Sequence, residues 1–186
     1  MNRIENKRVA ILATDGFEES ELTSPMKALK ENGATVHVVS TSSGKIKSWK
    51  DGNWNMELDV DKTIDEVSSS DYNALVLPGG VINPDKLRQN EEAVQFVRSF
   101  FDEHKPVASI CHGPWMLIEA GVVDGRRMTS WGSIATDLKN AGAKWVDEEV
   151  VVDSGLVTSR SPEDLEAFNS KLVEEVAEGK HEAQTV

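Results

Sequence analysis

Cys111 is the one cysteine in this 186-residue chain. It follows the apolar run Val107-Ala108-Ser109-Ile110 and is itself followed by His112, Gly113 and Pro114. A thiol placed this way suits attack on a carbonyl or acyl carbon. That chemistry needs a partly ionised nucleophile, a proton carrier beside it, and N–H donors facing the oxygen that becomes negative. An apolar run broken by glycine and proline reads as a strand turning sharply into a helix, which is a nucleophile elbow. Small residues two places before and after the nucleophile, here Ser109 and Gly113, relieve the crowding of such a turn. The turn would set the thiol at a helix N-terminus, where unpaired N–H groups favour the thiolate. Considered alone, a lone cysteine behind an apolar run is more often a small buried hydrophobe. The spacing and the neighbours tip the reading toward function.

His112 is the proton carrier by position. Side chains of consecutive residues diverge as a rule, so adjacency alone does not bring its ring onto the sulfur. His37 inside a strand, His104 near a helix end and His181 near the C-terminus read as structural or solvated. Gly79-Gly80 closes another strand and lets backbone approach a ligand closely. The amides of Gly80 and His112 are the candidate oxyanion donors. Three acids, Glu18, Glu19 and Glu21, follow the first strand. One of them, kept protonated in a half-buried site, could donate to the thiolate. Acids at a helix start are equally explained by the helix dipole, so spacing leaves the choice open. Trp115, one turn past the elbow, and Trp131, near another strand end, are candidate pocket walls beside Glu18 and Gly79. No phosphate-binding GxxxxGK[ST] loop is present, and no GxGxxG follows the first strand. One cysteine with scattered histidines does not make a zinc site. Neither metal nor cofactor is expected.

The elements that must hold these residues can be read from the hydrophobic pattern. Lys7 to Thr14, Thr35 to Ser40, Ala74 to Leu77 and Val107 to Ile110 are short apolar runs of the kind found in parallel strands covered on both faces. A polar loop spans Asp15 to Ser20. A helix then runs to about Asn32, with Leu22, Met26 and Leu29 at helical spacing, Pro25 inside it and Gly33 as C-cap. Ile46 to Trp49 and Met56 to Val60 flank the turn Asp51-Gly52-Asn53. Glu91 to His104 is an amphipathic helix presenting Val94, Val97, Phe100 and Phe101. Pro114 to Ala120 is the helix after the elbow, Met128 to Trp131 a short strand, and Ser133 to Ala141 a helix ended by Gly142. Val150 to Val152 and Leu156 to Ser159 form a hairpin around Asp153-Ser154-Gly155. Pro162 to Glu178 is the last helix, with Ser161 as N-cap, Pro162 at N1 and Asp164 sharing the capping role.

This alternation predicts an α/β fold: a flavodoxin-like, mainly parallel sheet with helices on both faces, whose ligands bind beyond the carboxyl ends of the strands. The expected organisation is one domain over 1–178 and a loose tail over 179–186. The formal net charge of −12 and the lack of a dense Lys/Arg cluster argue against a nucleic-acid partner. No run nears the ~18 apolar residues of a membrane span. The N-terminal MNRIENKRVAILAT lacks a cleavage pattern. One cysteine excludes an internal disulfide, which fits a reducing compartment. A cytoplasmic location is the expectation.

Three segments make the chain resemble the PfpI-like branch of the ThiJ/PfpI superfamily, which shares its fold with class I glutamine amidotransferases. They are Asp15-Gly16-Phe17-Glu18-Glu19-Ser20-Glu21, Ala74-Leu75-Val76-Leu77-Pro78-Gly79-Gly80 and Ala108-Ser109-Ile110-Cys111-His112-Gly113-Pro114, supported by NAGAKWVDEEVVVD and LVTSRSPEDL. The resemblance runs from about Arg8 to Val173. It implies Cys111 as nucleophile, Glu21 as the buried acid that hydrogen-bonds the sulfur, and His112 as the paired histidine. In that branch the histidine's acidic partner comes from a neighbouring subunit, on the loop after the glycine pair. Asp85 stands there, in a loop one residue longer, so a homo-oligomer is implied. Trp115 departs from the smaller or polar residue common after CHGP, which bears on substrate shape.

The resemblance implies peptidase, glyoxalase III-like or deglycase activity. The first reading is a stress-linked cysteine hydrolase or deglycase acting on reactive-carbonyl adducts of the methylglyoxal type, taking small adducts or glycated protein. The alternatives are an oligomeric intracellular cysteine peptidase acting on unfolded protein, and a non-catalytic redox sensor or chaperone using the same cysteine.

Overall fold

Apolar runs with no polar alternation need cover on two sides, and the chain supplies it. The computed structural model describes residues 4–186; residues 1–3, included in the domain range expected above, lie outside the described residues. In chain order the elements are β1 (Arg8–Leu12), β2 (Phe17–Glu18), α1 (Glu19–Glu31), β3 (Thr35–Ser40), β4 (Lys45–Lys50), β5 (Asn53–Asp59), β6 (Lys62–Thr63), β7 (Ala74–Leu77), α2 (Ile82–Leu87), α3 (Glu91–Asp102), β8 (Val107–Ile110), α4 (Trp115–Glu119), β9 (Arg127–Met128), α5 (Ala135–Asn140), β10 (Lys144–Trp145), β11 (Val150–Asp153), β12 (Leu156–Ser159) and α6 (Leu165–Glu178).

The main sheet has the order β11-β12-β8-β7-β1-β3-β6. Its pairings are parallel except that of β11 with β12. Successive side chains of a strand face opposite sides, so each central strand feeds two cores. Ala10, Leu12, Leu75, Leu77 and Val107 pack with Phe96, Phe100 and Phe101 of α3 and with Met116 and Leu117 of α4. Val9, Ile11, Val76, Ala108 and Ile110 pack with Leu22 and Leu29 of α1 and with Phe168 and Leu172 of α6. This is the expected flavodoxin-like arrangement, with helices on both faces.

Several boundaries differ from the sequence reading, for local reasons. Part of the expected Asp15–Ser20 loop is β2, which pairs with β4 and seats the entry to α1 against the β4–β5 hairpin. Helix α1 starts at Glu19 and continues through Pro25. The expected Met128–Trp131 strand shrinks to β9, paired with β10. Residues Gly132–Ile134 form a 3₁₀ turn before α5. Ser161 makes no side-chain capping bond at the last helix. Instead Oδ2 of Asp164 accepts from the backbone amide of Arg160 at 3.0 Å, and Pro162–Asp164 form a 3₁₀ turn ahead of α6.

The tail expected to be loose is docked. The His181 amide donates to the His104 carbonyl at 2.9 Å, the Gln184 carbonyl meets Nδ1 of His104, and the Arg126 guanidinium reaches the Thr185 carbonyl. Gln184 is fully buried. Among the described residues no helix is long and apolar enough to cross a membrane.

Candidate active site

Strand β1 lies between β3 and β7, so the chain leaves β1 to one side and later returns on the other. Such a reversal opens a crevice at the strands' carboxyl ends. The loops after β1, β7 and β8 meet there, carrying Thr14 to Glu18, Pro78 to Gly80 and Cys111. Asn83 of α2 ties two of these loops together. It is fully buried; its Oδ1 accepts from the Thr14 amide at 2.8 Å, and its Nδ2 donates to the carbonyls of Pro78 at 3.1 Å and Gly79 at 3.2 Å.

The elbow is a real backbone distortion. Cys111 has φ = 62°, in the left-handed region that non-glycine residues avoid. Holding it there costs on the order of 1 kcal/mol or more, and the surroundings must enforce it. The Cys111 amide donates to the Ser159 carbonyl at 3.1 Å, the Gly113 amide to the Ile110 carbonyl at 2.9 Å, and the Trp131 amide to the Cys111 carbonyl at 2.9 Å. A Cβ on Gly113 would lie 2.5 Å from the Leu77 carbonyl oxygen and 2.6 Å from Ser109 Oγ. Glycine at 113 and a small residue at 109 are thus steric requirements of the turn.

The same distortion settles the question of adjacency. With Cys111 turned into the left-handed region, the two neighbouring side chains converge: Nδ1 of His112 lies 3.2 Å from Sγ. The amides of Gly80 and His112 also point at the sulfur. The amides expected as oxyanion donors therefore sit beside Sγ of Cys111.

Glu21 is fully buried below them. Its Oε2 accepts from the Gly79 amide at 2.8 Å. Its Oε1 is enclosed without a hydrogen-bond partner, and the carboxyl group as a whole lies close enough to the Cys111 thiol to interact with it. Burial raises the Glu21 pKa to about 8, the Gly79 amide opposes this, and the Glu18 charge adds to it. The thiol is also pushed up, first by burial and then by the charge on Glu21, while the Gly80 and His112 amides pull it down. The expectation that a helix terminus would ionise the sulfur is corrected here. Helix α4 begins only at Trp115, and burial outweighs the amides. A protonated Glu21 removes the charge repulsion and turns the carboxyl into a donor toward the sulfur. Burial also lowers the His112 pKa.

The remaining expected site residues sort by distance from this group. The His112 ring lies between Trp115, edge-on at 5.1 Å, and Trp131, stacked at 6.4 Å. Both tryptophans flank the histidine. Trp131 also lines a cleft of about 440 Å³ with Ser133, Arg160 and Glu163. Glu18 lines a second cleft of about 430 Å³ with Ser20, Lys50 and Pro162. Cys111 itself is only 8% exposed and lines neither. A further cleft, near Arg126 and Asp153, lies toward the amino end of β8 and carries none of these groups. Glu19 turns away to Ser48 at 2.8 Å and Asn55 at 2.7 Å, and these bonds lower its pKa. Asp85 is exposed on α2, and its carboxylate has no hydrogen bond or ion pair among the described residues. Within one chain it does not meet His112. Two residues of this site escaped the sequence reading: Asn83, and Ser133, whose Oγ lies 3.3 Å from Nε2 of His112. Both are common polar types with no motif around them.

A family profile described as "DJ-1/PfpI family" matches residues 7–175. Over 164 residues the chain is 48% identical to general stress protein 18 of Bacillus subtilis, covering 88% of this chain and 94% of that one. Over 166 residues it is 48% identical to a protein of Thermococcus kodakarensis named Deglycase TK1284, covering 89% and 97%. Among solved structures, a two-domain protein from Anabaena variabilis containing DJ-1/ThiJ/PfpI-like and ferritin-like domains superposes with a TM-score of 0.86 at 37% identity. The match covers 91% of this chain and about half, 48%, of that one.

Proposed function

The chain belongs to the DJ-1/PfpI family, and from that membership, together with the groups converging on one sulfur, we propose that it is a cysteine-dependent hydrolase of the deglycase type. Its substrates are reactive-carbonyl adducts of the methylglyoxal kind, on small molecules or on glycated protein. The observation that carries this reading is the 3.2 Å approach of His112 Nδ1 to Cys111 Sγ, with two amides and a buried acid on the same sulfur.

Each group has a role in that chemistry. Cys111 passes its proton to Nδ1 of His112 and attacks the carbonyl carbon. The carbonyl oxygen becomes negative beside the Gly80 and His112 amides, which are already oriented. Glu21, neutral up to about pH 8, donates to the sulfur instead of repelling it. His112 then gives the proton to the amine as its bond to carbon breaks, and a water molecule, deprotonated at the same ring, releases the carbon skeleton from Cys111 as the free acid and restores the thiol. Asp85 serves the His112 of a neighbouring subunit in a homo-oligomer. Its unpaired, exposed carboxylate supports this reading. The deglycase name of the Thermococcus relative and the stress-protein name of the Bacillus relative support the substrate class and a stress-linked role.

The test compares wild type with Cys111→Ser on methylglyoxal, glycated amino acids and an unfolded protein. Turnover of the adducts by wild type, and its loss in the variant, is the expected result. Retained turnover in Cys111→Ser overturns the covalent mechanism. Cleavage of unfolded protein without adduct turnover moves the assignment to a peptidase.

A further inference from the structure

A histidine can accept the thiol proton at Nδ1 only if that nitrogen is bare, which requires the ring hydrogen to sit on Nε2. In this chain the ring is only 8% exposed and is walled by Trp115 and Trp131, neither of which offers a polar atom to it. The Trp115 indole N–H is committed to Asp137 at 3.0 Å, and Trp131 meets the ring by stacking. On the described residues, one side chain meets Nε2: Ser133, with Oγ at 3.3 Å.

Its placement is built in. The Trp131 amide donates to the carbonyl of Cys111 at 2.9 Å, and the Ile134 amide donates to the carbonyl of Trp131 at 3.1 Å. The 3₁₀ turn Gly132–Ile134 is thereby registered to the elbow itself, and Ser133 rides on that turn.

We propose that Ser133 is a positioning residue for His112: its Oγ accepts the Nε2 hydrogen and so leaves Nδ1 bare toward Cys111. This rests on the reading of His112 as proton carrier. When the Sγ proton moves to Nδ1, the ring becomes cationic, the sulfur keeps the electron pair, and the Nε2–H bond to Ser133 persists unchanged. The ring need not turn between the two states. Serine is suited to this place because its hydroxyl can accept from Nε2 and still donate its own hydrogen, so the Asp85 proposed to arrive from a neighbouring subunit would reach the ring through Ser133 and would not compete for Nε2.

The experiment uses the full chain and no enzyme substrate. Iodoacetamide reports on Cys111 alone, because the chain has no other thiol. The ring tautomer of His112 is read from nitrogen-15 NMR. We expect wild type to show the Nε2–H form. Ser133→Ala should mix in the Nδ1–H form and slow alkylation about 2- to 10-fold, the scale of one net hydrogen bond. Ser133→Thr, which keeps the hydroxyl, should restore both. An unchanged rate and tautomer in Ser133→Ala overturn the proposal. A slowed rate with an unchanged tautomer and no rescue by threonine does so too, since it marks a packing effect. Failure of the adduct assay leaves these readouts intact, so the two readings stand or fall separately.

Discussion

The amide of Gly79 donates to Oε2 of Glu21 at 2.8 Å, joining residues 58 positions apart and fixing the carboxyl group beside the thiol of Cys111. This bond holds a carboxyl in the core whose pKa burial raises from the ordinary 4.5 to about 8. Between those values the folded chain binds a proton that the unfolded chain has released. Stability is therefore greatest below about pH 4.5 as far as this group is concerned, and falls as pH rises to about 8, by on the order of 5 kcal/mol. Glu21→Gln removes the titration. Urea denaturation at steps from pH 5 to 8 should show wild type losing stability relative to the variant. Parallel curves would mean that Glu21 ionises as an exposed acid does.

Glu21→Gln should also slow turnover up to about 10-fold at neutral pH, because an amide N–H donates to the sulfur more weakly than the carboxyl O–H assigned to Glu21. The check is kcat against KM on whichever adduct wild type processes. The fall should lie in kcat.

Asp85 and Cys111 of one chain are assigned to different sites of an oligomer. Asp85→Asn and Cys111→Ser should each be inactive alone. Mixed after dissociation and reassembly, they should regain part of wild-type activity, because some sites then combine an intact Cys111 and His112 with an intact Asp85 from the neighbour. No recovery in demonstrably mixed oligomers would refute a shared site.

A methyl group at position 79 has nowhere to go. Its Cβ would lie 2.5 Å from Glu21 Oε2, 2.7 Å from Cys111 Cβ and 2.8 Å from the Ile110 carbonyl oxygen. Gly79→Ala should cost about 2–3 kcal/mol in urea denaturation, and the folded fraction should be inactive because the acid and the sulfur are forced apart.

Asn83→Ala strands the Thr14 amide and two buried carbonyls that the side chain now satisfies. A loss of about 3 kcal/mol is expected. Asn83→Asp should be worse, since a carboxylate oxygen would then face those carbonyls. A loss below about 1 kcal/mol in both variants would show that water replaces the clamp.

Local signals in the sequence reached most of this architecture. The unbroken apolar runs marked β1, β3, β7 and β8 because strands buried on two faces cannot alternate. The Asp153-Ser154-Gly155 turn marked the β11–β12 hairpin. Elements held only by tertiary pairing left no such trace: β2, β6 and β10 are two residues each. Helix α2, Ile-Asn-Pro-Asp-Lys-Leu, has no apolar period and contains a proline. At the site, Cys111 and the glycine pair were visible as chain punctuation. The contact of His112 with the sulfur was not, because it depends on a positive φ that residue types do not announce. The ionisation expectation failed for a related reason: the degree of enclosure around Sγ belongs to the assembled loops. Asn83 and Ser133 act through partners 69 and 21 residues away, a relation invisible to spacing.

The left-handed backbone at Cys111 has a consequence for heredity. Glycine adopts that conformation without penalty, so Cys111→Gly would relax the turn while ending the chemistry. A laboratory selection for heat tolerance alone should discard this cysteine early. Retention of the cysteine under such a selection would mean that the turn needs its side chain for folding as well as for the proposed reaction.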